Sequence, residues 1–198
     1  GRACLPVPCD VGAPDAAAQV LAAVHARFGR ADILVNNAGI IRRAPVLEFT
    51  DRDWDDVLNV NLRAVFKLSQ AFAADWAARR VPGKIINTAS LLSFQGGIRV
   101  VSYTAAKSAL MGVTRAMANE LAPLGINVNA IAPGYFETDN TAALRADAAR
   151  SRAILERIPA GRWGEPADLQ GAVVFLASRA ADYVHGIKLP VDGGWLAR

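Results

Sequence analysis

Residues 84–90 read Lys84-Ile85-Ile86-Asn87-Thr88-Ala89-Ser90, a short apolar run that ends in polar side chains. Its segment Ile85 to Thr88 favours a β-strand, and the lack of in–out alternation is typical of a strand covered on both faces. The other runs of this kind are Cys4 to Cys9, Ile33 to Asn36, Asn127 to Ala132 and Ile187 to Val191. We interpret all five as strands of one buried parallel sheet.

Longer stretches between these runs predict helices. They are Asp15 to Phe28, Asp53 to Ala78, Ser102 to Leu121, Asp139 to Arg157 and Pro166 to Ala177. Asp15 and Thr50 offer N-cap side chains, and Pro166 suits a first helical turn. The alternation of strands and helices, with no repeat and no linker, predicts an α/β fold with a doubly wound parallel sheet, in a single domain over residues 1–198.

The helix from Asp53 is apolar on more than one side. The apolar residues are Val57, Val60, Leu62, Val65, Phe66, Leu68, Phe72 and Trp76. Such a helix must be covered twice, and its own sheet covers one side only. We therefore expect a second copy of the chain against the other side, in a homo-oligomer that is a dimer or a tetramer.

Composition and charge exclude several classes of protein. Of the 198 residues, 53% are hydrophobic and 20% are charged, which is typical of a globular chain with a sizeable core. The net charge of +4 comes mostly from arginines scattered among acids, without the basic run that nucleic-acid binding favours. No apolar run approaches the ~20 residues of a membrane helix. We expect neither a nucleic-acid nor a membrane partner, whereas a small anionic substrate is compatible.

The cysteines, the histidines and the start of the chain indicate a reducing compartment and no metal site. Cys4 and Cys9 are five residues apart, and this odd spacing puts them on opposite faces of an extended segment, so no bridge is expected. His25 and His185 have no neighbours with metal-ligand spacing. The first residues show no signal-peptide pattern. We expect a cytoplasmic protein.

A tyrosine and a lysine lie one helical turn apart in Tyr103-Thr104-Ala105-Ala106-Lys107, and Ser90 stands thirteen residues before the tyrosine. A phenol has a pKa of about 10, too high for easy proton exchange near neutrality. Residues i and i+4 share a helix face, so the Lys107 ammonium is predicted to favour the Tyr103 anion. Ser90 could hold a substrate oxygen. The competing interpretation is a surface tyrosine beside an unrelated lysine, but the three residues together favour catalysis.

With further short motifs, these residues resemble the classical short-chain dehydrogenase/reductase family over essentially the whole chain. The motifs are Asn36-Asn37-Ala38-Gly39, Asn59-Val60-Asn61, the set of Ser90, Tyr103 and Lys107, Pro133-Gly134 with Thr138, and Asp10 in Cys9-Asp10-Val11. One of them alone is weak, whereas five in order are specific. The resemblance implies a Rossmann-like fold and an oxidoreductase that moves a hydride between NAD(H), with NADP(H) not excluded, and a secondary alcohol or ketone.

The resemblance also implies roles for individual residues. In these roles Tyr103 exchanges the hydroxyl proton, Lys107 assists it and bonds the nicotinamide ribose, and Ser90 orients the substrate. Asn61 completes the catalytic set by bending a helix so that water reaches Lys107. The residues implied to bind the cofactor are Asp10, Val11, Asn37, Ala38, Gly39, Tyr103, Lys107, Pro133, Gly134, Phe136 and Thr138.

Several of these assignments have a structural alternative. Asp10 could simply end a strand before a turn, and Pro133-Gly134 could be only a turn. Asn61 could be a helix-interior asparagine with a purely structural bond. We expect Asn37 to tie strands together more than it touches the cofactor.

The glycine-rich phosphate loop of the family is missing. No G-x-x-x-G-x-G pattern precedes Asn36, and the residue that would distinguish NAD from NADP is missing too. We expect about one strand–helix–strand unit, ~40 to 50 residues, before Gly1, in a domain of ~245 to 255 residues. Cys4 to Cys9 would then stand about 14 Å or more from Ile33 to Asn36, at ~4.8 Å per strand, instead of pairing with it.

Longer stretches resemble the branch of the family that uses NAD and acts on sugar acids such as 2-keto-3-deoxygluconate or 2-deoxygluconate. They are Asn36 to Arg43, Ser93 to Val100, Ile154 to Gly164 and Val191 to Arg198. A sugar acid needs a cation for its carboxylate, and a bidentate arginine suits it best. The candidates are Arg42, Arg43, Arg99, Arg145 and Arg152. The predicted substrate-binding residues are Ser90, Gln95 and Tyr103, with Gln95 bonding a hydroxyl.

Two alternatives stay open at this point. One is another short-chain reductase, of the gluconate 5-dehydrogenase or 3-ketoacyl type. The other is a catalytically silent truncated chain that serves as an assembly module. The intact set of Ser90, Tyr103 and Lys107 argues against the silent chain, and the missing phosphate loop argues for it.

Overall fold

Four parallel strands form one sheet in the order β1-β2-β3-β4 in the computed structural model, which describes residues 3–198. The strands are β1 (Ile33–Asn36), β2 (Gly83–Thr88), β3 (Ile126–Pro133) and β4 (Lys188–Val191). In this register Val35 pairs with Ile86, and Ile86 with Asn129. Because the strands run the same way, their carboxyl ends meet at one edge of the sheet, which is where doubly wound folds bind ligands.

Helices cover the sheet and connect its strands. They are α1 (Ala16–Phe28), α2 (Asp51–Leu58), α3 (Val65–Arg79), α4 (Val101–Leu121), α5 (Ala142–Ala146), α6 (Ala148–Arg157) and α7 (Gln170–Ala177). No helix within residues 3–198 combines the length and the apolar character needed to cross a membrane.

The predicted helix starts are confirmed at two positions of three. The Thr50 hydroxyl accepts a hydrogen bond from the backbone N–H of Asp53 at 3.1 Å and caps α2. Pro166 opens the short 3-10 turn that leads into α7. Asp15 precedes α1, but the prediction of a side-chain cap was wrong. Its backbone is already helical (φ −97°, ψ −2°), and its carboxylate makes no capping bond.

Apolar side chains pack on both faces of the sheet. On one face Phe72 and Trp76 of α3 pack with Ile85 and Val128. On the other face Leu176 of α7 packs with Ile86 and Ile131, and all three are nearly inaccessible to solvent. The prediction of a doubly wound parallel sheet is therefore confirmed.

The edge strand β1 is the part of the sheet that is covered on one face only. Leu34 is 8% exposed, whereas its neighbours Ile33 and Val35 are 44% and 42% exposed. Within the described residues, α7 lies over β2 and β3 and leaves this side of β1 open. The expectation of burial on both faces was wrong for this strand.

The segment Cys4 to Cys9, predicted as a strand, joins no sheet and does not pair with β1. Pro6 and Pro8 explain this difference. Proline has no backbone N–H, and prolines at alternate positions remove successive donors from the same edge of an extended chain. Both cysteines are free, as expected from their spacing.

Two of the predicted helices are interrupted. The helix from Asp53 to Ala78 begins at Asp51 and contains a wider, π-helical turn at Asn59–Ala64, between α2 and α3. Such turns are frequent at functional sites. The helix from Asp139 to Arg157 breaks at Asp147, whose carboxylate accepts a hydrogen bond from Arg150 N at 3.0 Å and caps α6.

A buried network of amides and hydroxyls links the sheet to its helices. Asn36 Nδ2 donates to Ser69 Oγ and to Asn87 Oδ1, both at 2.9 Å, and Asn87 Nδ2 donates to Thr114 Oγ1 at 3.0 Å. This tie was expected of Asn37. Asn37 is exposed, and its one side-chain bond is accepted from the Thr88 hydroxyl at 3.4 Å. That bond also joins the end of β1 to β2, but Asn36, which alternation turns into the core, makes the shorter and buried ties.

Candidate active site

The Lys107 ammonium is buried at the carboxyl end of β2. Its Nζ donates to the backbone oxygen of Thr88 at 2.6 Å and lies 5.5 Å from the centroid of the Tyr103 ring. Lys107 is only 4% exposed, and burial lowers its pKa from 10.5 to about 8. The i, i+4 spacing on α4 therefore brings the lysine beside the tyrosine, as predicted.

The pKa of Tyr103 moves in the direction opposite to the prediction. Burial is the largest influence and raises the pKa above the ordinary value of 10.0. The polar Ser90 side chain and the positive charge of Arg43 act against burial and lower it by less. Arg43, from the loop after β1, is a cation whose charge lowers the pKa of Tyr103, but the net rise above the ordinary value keeps the phenol protonated at neutral pH.

Ser90 is fixed by the short turn that follows β2. Its hydroxyl accepts a hydrogen bond from Leu92 N at 3.2 Å. Ser93 Oγ donates to the backbone oxygen of Lys107 at 2.7 Å, and Ser108 Oγ donates to that of Leu92 at 3.2 Å. These two bonds fasten the turn to α4, so that Ser90 and Tyr103 line the same cavity.

Asn61 lies fully buried in the π-helical turn and holds the loop after β1. Its Oδ1 accepts from Ile40 N at 2.9 Å, and its Nδ2 donates to Ile40 O at 2.7 Å. A side chain on Gly39 would start 3.0 Å from Asn61 Oδ1 and 4.0 Å from Lys107 Nζ. Glycine at position 39 therefore lets this loop approach both side chains closely.

The surface around Lys107 suits the hydroxyl groups of a ribose. The ammonium has three N–H donors, of which the structure engages one, with Thr88. Asn37, Ala38 and Gly39 are exposed beside it at the end of β1. These residues fit the cofactor that the sequence resemblance implies.

The other predicted cofactor residues have mainly structural contacts. Asp10 Oδ1 accepts from Gly12 N at 2.9 Å, which closes a turn, and Val11 lines a small cleft next to it. A side chain on Gly134 would start 2.7 Å from Asp192 Cα. Phe136 is 6% exposed and its ring packs against Gly164.

The last of these residues, Thr138, begins a short turn near Pro133 and Gly134. Its backbone N–H donates a hydrogen bond to the Thr141 hydroxyl oxygen at 3.2 Å. Pro133 ends β3 at the carboxyl edge of the sheet, so the loop from Pro133 to Thr138 starts where the fold binds ligands.

The cavity at Ser90 and Tyr103 has a volume of about 430 Å³ and is strongly cationic. Gln95 lines it, as predicted, and so does Arg43. The other four candidate arginines, Arg42, Arg99, Arg145 and Arg152, lie outside it. Sequence reasoning missed Arg150, Arg157 and Trp195, which also line the cavity. Among the described residues, no aspartate or glutamate belongs to its wall.

The four outlying arginines have other surroundings. Arg42 pairs with Asp53 at 3.4 Å and with Asp56 at 3.7 Å, and Arg145 donates to the backbone oxygen of Thr138 at 3.3 Å. Arg99 lines a separate cleft, and Arg152 is exposed on α6. Helical periodicity could have identified Arg157. Ile154 follows Arg150 by four residues and Arg157 follows Ile154 by three, so both arginines lie on the face of α6 that carries the buried Ile154. Among residues 3–198, no group of three or more His, Cys, Asp or Glu side chains is arranged to hold a metal ion.

The chain is similar to known oxidoreductases. A family model described as enoyl-(acyl carrier protein) reductase matches residues 1–196. The chain is 61% identical to the 2-dehydro-3-deoxy-D-gluconate 5-dehydrogenase of Escherichia coli K12 over 198 residues, which are 100% of this chain and 78% of that protein.

Two solved structures are similar along almost the whole chain. One, from Agrobacterium tumefaciens with bound NADP, is assigned as a 2-deoxy-D-gluconate 3-dehydrogenase; it is 60% identical, with a TM-score of 0.88, over 97% of this chain and 76% of that one. The other is a gluconate 5-dehydrogenase from Burkholderia cenocepacia in complex with NADP and tartrate. It is 44% identical, with a TM-score of 0.92, over 96% of this chain and 74% of that one.

Proposed function

The chain belongs to the short-chain dehydrogenase/reductase family of oxidoreductases, and from this premise we propose that it interconverts a secondary alcohol and a ketone of a sugar acid such as 2-keto-3-deoxygluconate or 2-deoxygluconate. The observation that carries the proposal is the cavity in which, over the part of the chain that the structure describes, Ser90 and Tyr103 share the wall with three arginines and no acidic residue. A hydroxyl-rich anion satisfies both parts of this wall, since arginine binds carboxylates in bidentate fashion.

The cofactor in this proposal is NAD. Lys107 would hold its nicotinamide ribose, Ala38 and Gly39 would leave space for its adenosine, and Asp10 and Val11 would contact its adenine. When bound, the nicotinamide supplies the hydride acceptor for oxidation and the hydride donor for reduction. The two solved structures named above contain NADP. Titration of this chain with both dinucleotides therefore decides between NAD and NADP.

Tyr103 carries the proton in the proposed mechanism. Its raised pKa keeps the phenol protonated, which suits donation to the carbonyl oxygen during reduction. Oxidation needs the phenolate, and the positive charges of Arg43 and of an oxidised nicotinamide both favour it. Ser90 donates to the substrate oxygen and stabilises the charge that develops there.

Lys107 and Asn61 support this proton transfer. The Lys107 ammonium, fixed by Thr88 O, lies under the tyrosine ring and adds positive charge to the site. Asn61 keeps the loop of Gly39 and Ile40 against Lys107 through its two backbone bonds. In this way the π-helical turn sets the space in which a water could reach the ammonium.

The proposal extends to the state of the protein in the cell. We place it in the cytoplasm as a homo-oligomer, dimer or tetramer, with a single domain over residues 1–198. The free cysteines and the half-buried apolar side chains Leu62 and Phe66 support these points.

A substrate panel tests the proposed function. Oxidation and reduction are followed by the absorbance of the reduced nicotinamide, with 2-keto-3-deoxygluconate, gluconate and a 3-ketoacyl thioester as substrates. Turnover that is fastest with a sugar acid supports the proposal, and preference for the thioester overturns it in favour of a ketoacyl reductase. A chain that fails to bind either NADH or NADPH at micromolar concentration would be the silent assembly module.

A further inference from the structure

One face of α6 forms a wall of the substrate cavity. Arg150, Ala153, Ile154 and Arg157 all line it, with the spacing of three, four and seven residues that keeps side chains on one side of a helix. Arg152 lies on the same helix but outside the cavity wall, and it is exposed. Arg152 can therefore serve as a control for the arginines of α6 that line the cavity.

The Arg157 guanidinium is held in place on the cavity wall. Its Cζ lies 4.1 Å from the centroid of the Trp195 ring, and its Nη2 donates to Gln95 Oε1 at 3.5 Å. Trp195 is 4% exposed and packs on Tyr135, with 4.7 Å between ring centroids. Stacking on a buried indole fixes the plane of the guanidinium, so little side-chain freedom is left to lose when a ligand binds.

The orientation of the Gln95 amide follows from its partners. Gln95 Oε1 accepts from Trp195 Nε1 at 3.2 Å as well as from Arg157. Indole and guanidinium groups are donors only, so the oxygen of the amide must face them. The Nε2 group, with its two donors, makes no hydrogen bond within residues 3–198 and remains for a ligand of the cavity that Gln95 lines.

The charges around Arg157 leave it available for an anion. Its guanidinium forms no salt bridge within the described part of the chain, and no acidic residue lines the cavity. Arg43 has a different position, because its Nη2 donates to the backbone oxygen of Asn140 at 3.0 Å and its charge acts on the Tyr103 phenol. Within residues 3–198, the Arg150 side chain makes no hydrogen bond or salt bridge of this kind.

We propose that Arg157 and the Nε2 group of Gln95 form the subsite that binds the carboxylate of the substrate, with Trp195 as the platform that orients Arg157. This inference rests on the proposed sugar-acid function and assigns its specificity to one pair of residues. Arg43 then serves the reacting end of the cavity, beside Tyr103.

Substitution of Arg157 tests the subsite, with Arg152 as the matched control. The variants R157M and R152M are assayed with a sugar acid and with its uncharged primary amide. R157M should lower kcat/KM for the acid by roughly 10- to 100-fold, mainly through KM, and lower that for the amide far less. R152M should leave both unchanged. Equal losses of R157M on acid and amide, or an acid-specific loss in R43M or R150M but not in R157M, would overturn the proposal.

A second variant tests the pair without removing the arginine. In Q95E a carboxylate replaces the amide and still accepts from Trp195 Nε1 and Arg157, so the folded structure is retained while the guanidinium gains an internal ion pair. We expect the acid to bind at least about tenfold more weakly, since its charge now meets a carboxylate. Unchanged affinity for the acid in Q95E would count against the subsite.

A binding readout separates this inference from the proposed function. Gluconate is titrated against the intrinsic tryptophan fluorescence of the whole chain, without turnover, because an anion on Arg157 changes the surroundings of Trp195. Quenching that is lost in R157M and kept in R152M supports the subsite even if no substrate of the panel is turned over. Quenching that persists in R157M overturns it, whatever the activity.

Discussion

The Tyr103 hydroxyl is the group of the cavity wall to which we assign the proton exchange with the substrate. Tyr103→Phe should therefore reduce turnover by about 10²-fold or more and leave dinucleotide affinity nearly unchanged. Steady-state rates together with a fluorescence titration of the reduced cofactor measure the two effects. Near-normal rates in this variant would exclude the mechanism.

Substitution of Lys107 is predicted to affect dinucleotide binding as well as turnover, unlike substitution of Tyr103. The reason is that the Lys107 ammonium supports the proton transfer and also binds the ribose. Lys107→Met should lower the turnover rate and also weaken binding of the dinucleotide. The same pair of measurements distinguishes the two residues, and a Lys107→Met variant that kept full cofactor affinity would restrict the lysine to the tyrosine side.

The depressed pKa of Lys107 also predicts a dependence of stability on pH. The pKa is about 8 in the folded chain against an ordinary value of 10.5, so between these values the unfolded state binds more protons. Below pH 8 the folded protein bears the cost of burying the ammonium, and stability is regained as the pH rises from about 8 to 10. Relative to Lys107→Met, the wild-type free energy of unfolding should rise by about 2 kcal/mol over that interval. Denaturant titrations at several pH values measure it, and parallel pH profiles would contradict it.

The π-helical turn between α2 and α3 holds the loop of Gly39 and Ile40 through Asn61. Asn61→Ala removes both side-chain bonds to the backbone of Ile40 and leaves a buried N–H and C=O to be satisfied, at a cost of about 1 to 3 kcal/mol. We expect a lower midpoint of thermal unfolding and a loss of activity, because the Gly39 loop then loses its position against Lys107. Gln70→Ala, an exposed change on α3, is the control and should alter neither.

The periodic elements of this fold could be predicted from the sequence, and the irregular ones could not. Continuous apolar runs located all four strands of the sheet to within two residues at each end, and the i, i+4 spacing placed Lys107 beside Tyr103. Helical periodicity did not predict the π-helical turn, because a single inserted residue leaves the apolar pattern around Asn61 almost intact. A bend at Asn61 was implied by the family resemblance alone. The break at Asp147 depends on one capping bond, and the failure of Cys4 to Cys9 to form a strand depends on Pro6 and Pro8, whose missing donors were outweighed by the apolar composition.

The residues of the candidate site also divide into those that the sequence could predict and those that it could not. Ser90, Tyr103, Lys107 and Asn61 belong to local motifs, so their approach could be predicted. The carboxylate subsite could not be predicted, because it joins Gln95 to Arg157 and Trp195, which are 62 and 100 residues away in the chain. The net direction of the Tyr103 pKa also escaped, since burial is a property of the folded chain.

At the scale of the whole molecule, the outer side of the α2–α3 region is a surface on which a partner could pack. Leu58, Leu62 and Phe66 line an open groove together with Val113 of α4. Asp55, Asp56 and Arg63 line the same groove, so a copy of the chain related by a two-fold axis could pair acid with base while the apolar side chains meet.

This arrangement predicts the surface through which the chain self-associates. Phe66→Asp puts a carboxylate where the proposed partner packs its apolar side chains, and an unpaired buried charge is strongly unfavourable at an interface. Sedimentation velocity should show the wild-type chain as a dimer or tetramer and Phe66→Asp as a smaller species. Leu124→Asp, a like substitution at a 51% exposed position outside the groove, should leave the assembly unchanged. A Phe66→Asp variant that sediments like the wild type would remove this groove as the subunit contact, because no oligomer can retain a dry apolar interface around that carboxylate.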